Sequence, residues 1–113
     1  MNQYLLVHLF HILFVGTLFM YVGIRRTNIP AIMFPILLTL GIVIMAYHSY
    51  KVYNYMQQGK GYWVNLIHIL LVGPLLVYIG YNGVKTPRLY FELLLMFGFA
   101  AIGYHGYYMA MGQ

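Results

Sequence analysis

Five imidazoles and one carboxylate carry most of the chemistry open to this sequence. The histidines are His8, His11, His48, His68 and His105, and the only acid is Glu92. An imidazole can ligate haem iron or another metal, or pass a proton near neutral pH. Arg88 stands four residues before Glu92, the spacing of an i,i+4 ion pair on a helix. A carboxylate near a helix N-terminus is also favoured by the helix dipole. A single carboxylate excludes a paired-acid mechanism within one chain. Ser49 is the only serine, and no acid lies near it to complete a triad. The chain has no cysteine, which excludes disulfides, thiolate metal sites and thiol nucleophiles. No nucleotide-binding loop or metalloprotease helix is present. The sequence therefore points away from an enzyme, and a redox role is open only through a cofactor held by histidine.

What must position these groups follows from composition. Of 113 residues, 63% are hydrophobic and only 6% are charged. A soluble domain carries about 25% charged residues, so this chain cannot coat a water-facing surface. Apolar runs cover residues 4–24, 30–50, 62–81 and 87–109. Each reaches across about 30 Å of hydrocarbon at about 1.5 Å per residue. The sequence thus predicts an all-α membrane protein with four transmembrane helices. The first run has no basic leader and no small-residue cleavage site, so it reads as a retained span. Pro30 and Pro87 suit the first turns of the second and fourth helices, and Thr86 suits an N-cap. Pro74 lies inside the third helix and predicts a kink there.

The second half of the chain repeats the first at a constant offset of 57 residues. His11-Ile12-Leu13 aligns with His68-Ile69-Leu70, and Val15-Gly16 with Val72-Gly73. Tyr21 and Gly23 align with Tyr78 and Gly80. Pro30, Phe34, Leu37, Leu38 and Gly41 align with Pro87, Phe91, Leu94, Leu95 and Gly98. Tyr47-His48 aligns with Tyr104-His105. Apolar matches are cheap between membrane helices, but matched His, Gly and Pro in register are not. Residues 1–56 and 57–113 are then two tandem hairpins entering the membrane in the same sense. Such parallel repeats predict a four-helix bundle with its pseudo-twofold axis along the membrane normal. The short links after the first and third spans make the helices within each hairpin antiparallel neighbours.

Arg25, Arg26, Lys85 and Arg88 gather at the first and third links, against Lys51 and Lys60 at the second. The positive-inside rule then puts both termini on the non-cytoplasmic side. That side also carries an interfacial aromatic belt including Tyr4, Tyr47, Tyr50, Trp63, Tyr104 and Tyr107. The net charge of +5 reads as orientation and attraction to anionic headgroups, with no nucleic-acid partner.

The repeat places His11, His48, His68 and His105 toward the side of the second link. His11 and His68 should share one depth, and His48 and His105 another. Three readings stay open. The histidines can be packing glue, each bonded to a neighbouring helix. His11 with His68, or His48 with His105, can ligate a cofactor, with haem b the leading candidate, or a metal. The same rings can conduct protons through an oligomer. Arg88 and Glu92 read as an interfacial ion pair.

The pattern His68, Val72-Gly73-Pro74, Tyr78-Ile79-Gly80, Thr86-Pro87 and Tyr104-His105 resembles small uncharacterised membrane proteins encoded by giant DNA viruses of algae and other protists. The first hairpin departs from it, with Thr17 in the place of Pro74 and Asn28-Ile29-Pro30 replacing a Thr-Pro pair. The resemblance implies a virion or host-membrane location and transfers no site residue. With links too small to build a soluble active site, the sequence suggests a structural or interaction role. Its partners would be the lipid bilayer, further copies of the chain or other membrane proteins.

Overall fold

The computed structural model describes residues 3–112, with side chains from residue 5 onward. The side chain of Tyr4, one of the expected belt residues, lies outside that range. Four helices are long and apolar enough to cross a membrane: α1 (Leu5–Arg25), α2 (Met33–Gln58), α3 (Trp63–Lys85) and α4 (Arg88–Ala110). Among the described residues there is no strand. Such helices satisfy their own backbone polar groups, as hydrocarbon requires.

The helix ends differ from the sequence expectation in ways the chain explains. α2 begins at Met33, three residues after Pro30. The second proline, Pro35, occupies its first turn, where a missing N–H costs nothing. Pro30 instead offers its carbonyl to Met33 N–H at 2.9 Å. Pro87 likewise precedes α4 and accepts from Tyr90 N–H at 3.1 Å. Thr86 is not an N-cap: its hydroxyl donates back to the Ile79 carbonyl at 3.4 Å. α2 also runs two turns beyond residue 50. It stops at Gly59, whose φ of 68° favours glycine. There Gly59 N–H bonds the Met56 carbonyl and Lys60 N–H the Tyr55 carbonyl, which is a Schellman motif.

The chain divides into two compact units. Unit 1 joins Met1–Asn28 with Pro87–Gln113, and so pairs α1 with α4. Unit 2 is Ile29–Thr86, and pairs α2 with α3. Compactness therefore divides the chain at other points than the repeat does. In unit 1, Phe19 and Val22 of α1 and Phe91 and Leu94 of α4 are buried. In unit 2, Leu76 and Ile79 of α3 and Phe34 and Leu37 of α2 are buried. Each residue of the first set stands 57 from one of the second.

Glycines set how closely the helices of a unit approach. A Cβ at Gly23 would lie 2.9 Å from the Leu95 nitrogen, and one at Gly80 would lie 2.5 Å from the Leu38 nitrogen. Neither backbone could yield without the helices separating. A Cβ at Gly16 would meet Ile102, and one at Gly73 would meet Met45. Gly23 and Gly80, Gly16 and Gly73, and their four partners again match at 57 residues.

Candidate functional site

Each unit carries one imidazole cluster, and a local distortion of the helix builds it. α1 widens into a π-turn at His11–Gly16, and α3 does so at His68–Val72. In an α-helix, residues five apart point about 140° from each other, at about 100° per residue. A π-turn absorbs one extra residue, so that offset falls to about 40°. His11 and Gly16 consequently both face α4, at His105 and Ile102. His68 and Gly73 both face α2, at His48 and Met45. The π-turn of α3 ends two residues before Pro74, where the sequence predicts a kink. Proline is not its general cause, since α1 makes the same turn with Thr17 in that position.

In unit 1, His11 stacks on His105 with ring centroids 4.1 Å apart and planes inclined by 22°. His8 approaches the same ring, with Nδ1 to Nδ1 at 2.9 Å. His8 and His105 are both buried. In unit 2, His68 stacks on His48 at 4.1 Å and 17°. The Nδ1–H of His48 donates to Oδ1 of buried Asn65 at 2.7 Å. His11 Nδ1–H donates to the Val7 carbonyl, and His68 Nδ1–H to the Val64 carbonyl, each at 2.8 Å. A carbonyl only accepts, so both rings carry their proton on Nδ1. In the neutral ring the lone pair is then on Nε2.

The units group the histidines otherwise than the depth argument did. His11 and His68 belong to different units, as do His48 and His105. Within a unit, the stacked pairs do not have the geometry of axial haem ligands. Two axial imidazoles aim their nitrogens at one metal from opposite sides, at about 2.0 Å each. Face-stacked rings at 4.1 Å leave no room for a macrocycle between them. Among the described residues, no group of three or more His or acidic side chains could hold a metal ion.

Asn65 went unrecognised in the sequence. Asn65 stands 57 residues after His8, so the repeat itself carried the signal: Asn65 reaches His48 as His8 reaches His105. His8 falls outside the four repeat-matched histidines because Asn65 stands at its repeat position. Away from the clusters, Arg88 Nε donates to Glu92 Oε1 at 2.7 Å, with both side chains more than half exposed. The Lys51 ammonium lies over the Tyr47 and Tyr55 rings, and Lys60 also lies over Tyr55.

No family model, curated protein or solved structure matches this chain.

Proposed function

We propose that this is a small multi-pass membrane protein with a structural or interaction role. In this reading it is a tandem duplication forming a four-helix bundle, and an imidazole cluster fastens each helix pair. The observation that carries the reading is that every histidine cluster bridges two helices. His8 and His11 reach His105 from α1 to α4, and Asn65 and His68 reach His48 from α3 to α2. In hydrocarbon such polar bridges hold helices together, at roughly 0.6 to 2 kcal/mol each. The matched contacts at 57-residue spacing support the duplication.

Self-association belongs to the same proposal. Only 17–33% of each span's apolar window is buried within the chain. Leu13, Leu70, Met96 and Phe99 are among the large side chains left exposed. Those faces suit lipid, further copies of the chain or other membrane proteins. The resemblance to viral proteins suggests a virion or host membrane as the setting. The distribution of Arg and Lys suggests termini on the non-cytoplasmic side, which cysteine labelling of the second link would test.

The deciding experiment combines sedimentation equilibrium in detergent with thermal denaturation of the Asn65→Ala and His105→Ala variants. The proposal expects a defined oligomer and a lower midpoint for both variants. A monomer at every concentration, with midpoints equal to the parent's, would overturn it.

A further inference from the structure

The two clusters differ at one position, and that position decides whether a proton can cross. In unit 1 the contact between helices is nitrogen to nitrogen, His8 Nδ1 to His105 Nδ1 at 2.9 Å. One ring must donate and the other accept, so the two rings hold opposite tautomers at that edge. In unit 2 the corresponding contact is His48 Nδ1–H to the Asn65 amide oxygen. An amide oxygen accepts the bond and does not take the proton at the pH values where imidazole titrates.

We propose that His8 and His105 form a proton-exchange pair and that unit 2 holds a blocked copy of the same site. The step balances without a co-reactant. Take His8 as the Nδ1–H donor. A proton arriving at its Nε2 makes it an imidazolium and leaves the Nδ1–H···Nδ1 bond intact. The Nδ1 proton then moves to His105, which becomes the imidazolium as His8 returns to neutral. His105 releases its Nε2 proton, and the bond is left with its polarity reversed. One proton has entered on α1 and one has left on α4. The reverse passage restores the starting tautomers.

The surroundings limit the pair to one charge. His11 faces His105 across the 4.1 Å stack, and its Nδ1–H is committed to Val7. A second positive ring in that stack would repel the first at short range and low dielectric. Tyr104, beside His105 on α4, contacts the ring edge-on with Tyr108 behind it. Among the described residues, His11 and Tyr104 are thus titratable groups that contact the pair from α1 and α4. A second proton placed directly on the pair would require Nδ1–H against Nδ1–H, which breaks the bond. The pair is thus a one-proton shuttle and not a reservoir.

This inference deepens the structural reading, because it rests on the same interhelical contacts. The test is imidazole nitrogen NMR of the full-length, histidine-labelled protein in lipid nanodiscs across a pH titration. The expected result is a through-bond coupling between His8 Nδ1 and His105 Nδ1. On acidification these two nitrogens should shift together, with uptake of one proton between them. His48 should show no such partner. His8→Asn should abolish the coupling and give His105 the titration behaviour of His48. Asn65→His should create a second coupled pair at His48. Independent titration of His8 and His105 in the parent protein, with no coupling, would overturn the inference by itself. Loss of thermal stability in Asn65→Ala would still uphold the structural reading in that case, so the two failures are distinguishable. Failure of a well-folded Asn65→His protein to gain a coupled pair would also count against the exchange proposal.

Discussion

Unit 1 and unit 2 use the same backbone plan and arrive at different chemistry. Both pair a helix containing a π-turn with a partner that is α-helical throughout. Both bury Phe and Leu at matched positions and bring a glycine against the partner's backbone. Both stack two imidazoles at 4.1 Å. Yet His8 in one and Asn65 in the other give a protonatable contact and a fixed one. The comparison teaches that packing constrains where a polar group must bridge, and leaves its acid–base character free to change.

The comparison can be broken most severely at its closest contacts. Gly80→Ala puts a Cβ against the Leu38 backbone, and Gly23→Ala does the same against Leu95. Overpacking costs about 1–3 kcal/mol and more where backbone must move. Both variants should lose about 3 kcal/mol or more, with Gly80→Ala the worse because its approach is tighter. Thermal denaturation in detergent would measure this, with Gly103→Ala as the control, since nothing lies within 4 Å of a Cβ there. Equal stability in all three would show that the glycines do not set helix spacing.

A smaller loss is expected at the polar bridge of unit 2. Asn65→Ala removes the acceptor of a partly buried imidazole N–H and should cost about 1–3 kcal/mol. Asn65→His should restore part of that loss, because a second ring can accept the bond in its place. A histidine that proves no better than alanine at this position would argue that the two clusters are not interchangeable.

The next effect has the opposite sign. Arg26 caps α1 at φ 54°, ψ −122°, and Gly83 caps the α-helical part of α3 at φ 56°, ψ −128°, before the 3₁₀ turn to Lys85. Only glycine adopts this region without strain. Arg26→Gly should therefore stabilise unit 1 by about 1 kcal/mol, while Gly83→Ala should destabilise unit 2 by at least that much. A destabilised Arg26→Gly protein would mean that the arginine's headgroup contacts outweigh its backbone strain. The smallest effect belongs to the Arg88–Glu92 pair. Glu92→Gln should change the melting midpoint little, by the equivalent of about 0.5 kcal/mol or less, because both side chains face solvent or headgroups.

Much of this was legible in the sequence, and the illegible parts have physical causes. The four spans are visible because hydrocarbon demands long apolar runs. Gly23 and Gly80 were visible as repeat-matched small residues. Their partners were not, since small residues do not announce which helix they approach. The π-turns were hidden because periodicity arguments assume 3.6 residues per turn, and that assumption sends His68 and Gly73 to different faces. The extension of α2 to Gln58 was hidden by polar Lys51, Asn54 and Gln57, which read as a link. Asn65 was hidden because an amide standing opposite a histidine in the repeat shares its hydrogen-bonding but not its titration.

On the proposed duplication, the widened turns would also order events in time. A π-turn holds one residue more than the α-helical turn it replaces. Here it occupies corresponding stretches, His11–Gly16 and His68–Val72. On the duplication reading, one ancestral insertion explains both, and it precedes the copying of the gene. On the same reading, the proline at 74 and the difference between His8 and Asn65 would be later than the copying. The single-hairpin ancestor would have carried one such helix and one partner strand of chain. Its cluster would then have joined helices of two molecules, as each cluster here joins helices of two hairpins.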